Sequence, residues 1–110
     1  MKPILPSLRE KKRYILYEIV SENKGFKKME IENMINNKIL QFLGEKGYAK
    51  MNLMFMDNWG NKGIIKVNNK EVDNTKAALM LAEKINDEKI LIKSVKVSGS
   101  LKKLKGYKGG

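Results

Sequence analysis

A two-layer α+β sandwich of order β-α-β-β-α-β is predicted by three observations. Four stretches are rich in β-branched and aromatic residues, and two stretches repeat apolar residues at helical spacing. A turn-forming segment, Asn58-Trp59-Gly60-Asn61-Lys62, joins the middle two strands. At 110 residues the chain has room for one domain and one core. Its 42% hydrophobic and 32% charged residues place it among globular chains rather than disordered ones.

The elements follow in order. Tyr14-Ile15-Leu16-Tyr17-Glu18-Ile19-Val20 is the first strand, closed by Asn23-Lys24-Gly25. From Met29 to Leu43 the apolar positions Ile31, Met34, Ile35, Ile39 and Phe42 form one helical stripe, and Gly44 and Gly47 end it. Lys50 to Asp57 is expected as the second strand and Gly63 to Val67 as the third. Asp73 or Asn74 is expected to cap a second helix running to Asn86, with Val72, Thr75, Leu79, Ala82 and Ile85 inward. Lys89 to Ser98 is the fourth strand. Such a split βαβ order places both helices on one face of an antiparallel sheet, as in RNA-recognition-like and ferredoxin-like folds.

The opposite face should then alternate polar with apolar, and it does not. Tyr14, Leu16 and Val20 fall on one side of the first strand while Ile15, Tyr17 and Ile19 fall on the other. The second strand repeats the pattern, with Met54 and Met56 set against Met51, Leu53 and Phe55. The open face is therefore expected to be partly covered, by a partner chain or by the protein's own ends. Tyr14, Leu16, Met54, Met56 and Trp59 are the candidate protein-partner contacts, Trp59 either standing exposed on its loop or tucked back over the sheet.

The absences are as informative. No cysteine and no histidine occur, which removes disulfides, thiol catalysis, zinc fingers, haem ligation and any histidine base. Asp57 beside Asn58, and Ser98 near Ser100, lack a base to activate them and fit turn and cap roles. The loop Ser21 to Phe26 carries no arginine, unlike the phosphate loop that a small acylphosphatase-type enzyme needs after its first strand. Gly60-Asn61-Lys62-Gly63 matches a KH-type GXXG pattern but joins strands rather than helices, so it is a turn. Met51, Met54, Met56 and Met80 read as adaptable packing. The third strand has no aromatic residue, which argues against RRM-style base stacking. No catalytic residue, metal ligand or cofactor is assigned.

Charge is where function shows. The net charge is +11. Residues 1–13 contribute +4 and residues 89–110 contribute +7, while residues 14–88 sum to zero. The chain thus divides into a basic arm (1–13), a sandwich (14–98) and a basic tail (99–110). One basic tail can be a solubilising end only; two on so small a domain favour a polyanion, either nucleic acid or an anionic membrane surface. Arg9, Lys11, Lys12 and Arg13 precede the first strand, and Lys102, Lys103 and Lys105 follow Ser98-Gly99-Ser100. Amides freed at that Gly-Ser turn, with lysines after them, would cradle phosphates. The opening residues lack the apolar run of a signal peptide, and no stretch approaches a membrane span, so a soluble cytoplasmic protein with no membrane partner is expected.

Leu8-Arg9-Glu10-Lys11-Lys12-Arg13-Tyr14-Ile15 resembles the opening signature of the archaeal ribonuclease P protein component 2 family, which has a eukaryotic counterpart. Gly63-Ile64-Ile65-Lys66, Lys76-Ala77-Ala78-Leu79 and Val97-Ser98-Gly99-Ser100-Leu101-Lys102-Lys103 match further signatures in the same order. The resemblance spans residues 5 to 103. Departures are Leu5-Pro6-Ser7, where two prolines and a threonine are usual, Lys66 in place of arginine, and Ser100-Leu101 in place of threonine-isoleucine. The resemblance implies a ribonucleoprotein subunit that binds the RNA trimming the 5′ leader from precursor tRNA, with hydrolysis performed by that RNA and its Mg²⁺. It implies as partners the ribonuclease P RNA, a TIM-barrel-type protein subunit, other ribonuclease P proteins, precursor tRNA indirectly, and a second copy in a two-plus-two assembly. It adds Ser98, Ser100 and Lys66 to the RNA-contact candidates, although lysine cannot offer the bidentate contact of arginine. A ribosome-associated or other basic RNA-binding protein of the same fold is the alternative, and a ligand-sensing regulatory domain has little support.

Overall fold

In chain order the elements are β1 (Lys12–Val20), α1 (Lys28–Met51), β2 (Met54–Trp59), β3 (Lys62–Asn68), α2 (Val72–Met80), β4 (Lys84–Ile85), β5 (Glu88–Lys89), β6 (Leu91–Ser98) and α3 (Leu101–Lys105). The computed structural model describes residues 11–22 and 25–109. The main sheet has the order β2-β3-β1-β6. β1 pairs antiparallel with β3 and with β6, so the most apolar strand lies in the interior. This is the two-layer sandwich expected from the sequence. The second expected strand starts later than its composition suggested, because residues 50 and 51 end α1 and Asn52 turns into the left-handed region with φ 55°.

One face of the sheet carries the main core. Ile31, Ile35 and Ile39 repeat every four residues along α1 and bury against Ile15, Tyr17 and Ile19 of β1, together with Ala78 and Leu79 of α2. Phe42, expected in the same stripe, is exposed, because the i, i+4 ridge continues to Leu43 instead. Gly44 does interrupt the helix, with φ 73° and ψ 178°, a conformation natural to glycine. Helix resumes beyond it. The Tyr48 hydroxyl donates to Asn36 Oδ1 at 2.7 Å, whereas twelve residues of straight helix would separate the pair by about 18 Å. The chain therefore doubles back at Gly44, and residues 45–51 fold against the first segment, anchored by buried Met51.

Two further differences concern the second half. A 3-10 turn (Asn69–Glu71), capped by the Asn68 side chain accepting the Lys70 N–H at 3.1 Å, leads into α2, whose own N-cap position is Glu71 with no side-chain cap bond; Asp73 and Asn74, expected as caps, lie inside its first turn. Then α2 stops at Met80, and residues expected as its last turns form the β4–β5 hairpin. Asn86 and Asp87 both take positive φ, 50° and 66°, as a tight hairpin turn requires. Ala82 and Ile85 still bury, which is why their spacing imitated a helix. The hairpin tip is tied to α1: Glu30 accepts from the Asn86 side chain and from the Lys27 amide.

The third difference bears on function. Residues 101–105, expected as tail, form the helix α3, which lies on the other face of the sheet with Leu104 fully buried against Leu16 and Ile64. The open face is thus covered in part by the protein's own C-terminal end.

Candidate nucleic-acid interface

The basic residues converge because of strand register. Lys12 lies opposite Asn68, Arg13 opposite Val67, and Tyr14 opposite Lys66 on one side and Ser98 on the other. Residues paired in this way share a face, so Met54, Lys66, Tyr14 and Ser98 form one row across all four strands on the α3 side. The start of β1 and the end of β6 are adjacent in that row. The Arg13 guanidinium lies against Gly99, 3.4 Å from where a side chain at that position would begin, and donates to the Lys12 carbonyl at 3.1 Å. The Lys11 carbonyl accepts the Asn69 amide at 2.7 Å, which fixes the entry to β1.

Beyond Gly99 the chain turns onto the sheet. Ser100 caps α3, its hydroxyl accepting the Lys103 amide at 3.3 Å, and the Ser98 hydroxyl accepts the Ser100 amide at 3.0 Å. The Ser100 amide, one of those expected in the phosphate cradle, is thus engaged in holding the turn. Each serine keeps its O–H as a donor. Leu101 and Leu104, three residues apart, face the sheet, while Lys102, Lys103 and Lys105 face solvent. The short helix works as a mount: two leucines hold it, and three ammonium groups project.

Lys11 and Lys12 are exposed, and Arg13 and Lys66 are half-buried. Arg9 lies outside the described residues. None of the described cations named here has a described carboxylate within ion-pair distance. Lys12, Lys66, Ser98, Ser100, Lys102, Lys103 and Lys105 are therefore gathered at one end of one face, whereas Arg13, paired with Val67 of the main core, starts from the opposite face and lies against Gly99 at the same end. The signal missed in the sequence is on β6. Lys96 lies opposite Leu16 and Lys93 opposite Glu18, which places both on this same face.

The expected partner contacts divide. Leu16 is wholly buried inside the chain beneath Leu104, so it offers no surface to a partner. Tyr14, Met56 and Trp59 are half-buried around that small cluster, and Met54 remains 50% exposed. Trp59 is no exposed loop tip. It pairs with Lys62 and packs toward the sheet, while the turn itself is tied down by the Asn61 side chain donating to the Ile19 carbonyl at 2.8 Å. Tyr17 faces the helices over Gly63, whose missing side chain makes room for the ring. Burial, with Glu32 nearby, pushes its hydroxyl above the usual tyrosine range. Neither central-strand tyrosine presents an open ring for stacking.

The titratable group Tyr17, Lys28, Glu32 and Asp57 lines a cavity of about 10 Å³, room for about one water. Among the described residues there is no group of three or more carboxylates that could hold a metal. No helix among them is long and apolar enough to cross a membrane.

Comparison with known proteins bears on this interface. A family model, the Rpp14/Pop5 family, matches residues 13–107. The chain is 42% identical over 106 residues to ribonuclease P protein component 2 of Pyrococcus furiosus, covering 94% of this chain and 88% of that protein. It is 33% identical over 105 residues to the protein of the same name in Methanococcus vannielii, covering 96% and 80%. Among solved structures, a chain in the cryo-EM structure of yeast ribonuclease MRP superimposes with a TM-score of 0.70 over 92% of this chain and 93% of that one. At 14% identity that likeness is one of fold.

Proposed function

The chain belongs to the Rpp14/Pop5 family, and from that membership we propose that it is a protein subunit of the ribonuclease P ribonucleoprotein. It binds and supports the RNA that removes the 5′ leader from precursor tRNA. The observation that carries this reading is the gathering of Lys12, Lys66, Lys102, Lys103 and Lys105 on the sheet face that α3 closes, unpaired with any described carboxylate, with Arg13 at the same end of the sheet. Such a surface neutralises phosphates and positions RNA without reading its bases. By lowering repulsion between phosphates it lets the RNA fold at modest Mg²⁺.

Hydrolysis belongs to the RNA, with Mg²⁺ held by the RNA, and the isolated chain is inactive. Met54, Met56, Trp59 and Tyr14, partly exposed on the α3 face, meet a protein subunit of TIM-barrel type. Two copies of this chain and two of that subunit form a two-plus-two assembly, other ribonuclease P proteins join the particle, and precursor tRNA is reached through the RNA. The particle works in the cytoplasm.

The test is to recover the tagged protein from its own cells, sequence the RNA that comes with it and assay the eluate for leader removal. Ribonuclease P RNA with leader-trimming activity is the expected result. Ribosomal RNA without trimming would assign the chain instead to a ribosome-associated role on the same fold.

A further inference from the structure

We propose that the edge strand β6 is a second, linear stretch of the RNA interface, running from the β4–β5 hairpin to α3, with Lys89, Lys93 and Lys96 as its phosphate contacts. The proposal rests on the RNA-binding reading above and extends it to residues that no part of that reading uses.

The first argument is the bulge. Lys93 and Lys96 are three residues apart, and in a regular strand an odd separation puts side chains on opposite faces. Here the pairing steps from Tyr17 opposite Ser94 to Leu16 opposite Lys96, leaving Val95 without a partner. That one inserted residue turns both lysines to the face that carries Ser98 and α3. Bulges re-aim side chains in this way. Lys89, four residues before Lys93, continues the same face, and its carbonyl is held by the Ser21 hydroxyl at 3.1 Å.

The second argument compares the two edges of the sheet. Lysines and bulges also protect edges against unwanted pairing, so their presence on β6 needs a control. β2 is that control. It is the other edge and it is bulged as well, between Phe55 and Asp57, yet Met54–Trp59 contains no lysine and one aspartate. Edge protection in this sheet does not require lysine.

The third argument is charge at the far end. Lys84 and Lys89 are directly opposite one another across the hairpin, an arrangement that is destabilising on its own and relieved by an anion between them. Carboxylates stand beside this pair: Glu83 lines a surface cavity with Lys84 and Lys89, and Glu22, Asp87 and Glu88 line a second one with Lys89, so Lys93 and Lys96 are the less offset part of the row. From Lys89 to the end of the chain no acid occurs. Within β6 itself, Lys93 lies opposite Glu18, which is shared with Lys62 on the far side, and Lys96 lies opposite the apolar Leu16.

From Lys89 to Ser98 the track is about 25–30 Å long, a span suited to several nucleotides of backbone. It has no aromatic platform and no row of amide side chains, so it follows phosphates and is indifferent to sequence.

The test measures the affinity of the full chain for transcribed ribonuclease P RNA across a salt series, comparing the wild type with the double variant Lys93→Ala, Lys96→Ala. The log–log salt slope should flatten by about one to two units, close to one per lost phosphate contact. A second measurement exploits the absence of cysteine. An iron chelate tethered through Lys93→Cys should cut the RNA at positions continuous with those cut from Lys103→Cys, whereas Phe42→Cys on the helix side should leave it uncut. An unchanged slope with no cutting from position 93 overturns the track while leaving the subunit reading in place. Loss of an acidic protein from the purified particle, with the RNA slope unchanged, likewise overturns it and gives the strip to a protein. Failure of the wild-type chain to bind this RNA at all overturns the reading on which the proposal rests.

Discussion

The two faces of the sheet are built to different specifications. On the helix side fifteen buried residues among those described form one continuous core, contributed by β1, β3, β6, both long helices and the small hairpin. On the other side the buried cluster is three residues, Leu16, Ile64 and Leu104, under a helix of five. Buried apolar area dominates stability, so the helix face holds the fold together. The α3 face contributes less to folding and carries Lys66, Lys93, Lys96 and the lysines of α3. What the difference teaches is a division of labour: one face makes the protein persist, and the other presents charge on a mount light enough to be adjusted.

Substitutions can break that comparison, and the largest effect belongs to the helix face. Ile39→Ala removes a fully buried side chain from the middle of the α1 ridge and should cost about 2–5 kcal/mol in urea unfolding. The RNA affinity of the molecules that remain folded should not change. Leu104→Ala is the matching deletion on the other face. Its cost should stay at or below about 2 kcal/mol, because α3 can undock without opening the rest of the sheet. The amides of residues 103 to 105 should then lose hydrogen-exchange protection, and RNA binding should weaken although no charge has been removed. Equal global destabilisation by the two substitutions would mean that the faces fold as one core.

Much of the helix face was legible in the sequence, because its information is periodic. Ile31, Ile35 and Ile39 at four-residue spacing, and Ile15, Tyr17 and Ile19 at two, state both the element and its inward side. What was hidden there depends on partners. Ala82 and Ile85 keep a helical interval whether they sit on a helix or a hairpin, and only Asn86-Asp87, which tolerates positive φ, distinguishes the two. Residues 45–51 were obscured by Gly44 and Gly47, which stop a periodicity argument before Tyr48 and Met51 can join it.

The α3 face was legible as charge and obscure as shape. Lys12 and the three lysines of α3 stand out by composition. The same composition concealed the helix, whose pattern is two leucines three apart behind a capping serine. Lys93 and Lys96 were the harder case, since their odd spacing argues against a shared face until the partner strand reveals the bulge at Val95.

Smaller effects sharpen the comparison further. Ser100→Ala removes the side-chain cap of α3 and should cost that helix about 1 kcal/mol. The loss should be visible as faster exchange of the Lys103 amide and barely visible in global unfolding.

Smallest in stability is the pair Lys102→Ala, Lys103→Ala. Both side chains are exposed on a helix with no described carboxylate nearby, so unfolding should move by no more than about 0.5 kcal/mol. Binding should behave in the opposite way. If each ammonium group neutralises one phosphate, the slope of log affinity against log salt should flatten by about two units, with affinity falling most at low salt. An unchanged slope would mean that these lysines do not touch RNA and that α3 serves only to cover Leu16 and Ile64. A flattened slope with intact stability would place the series in full: from Ile39 through Leu104 and Ser100 to the lysines, the cost to folding falls while the cost to RNA binding rises, which is what separate duties for the two faces require.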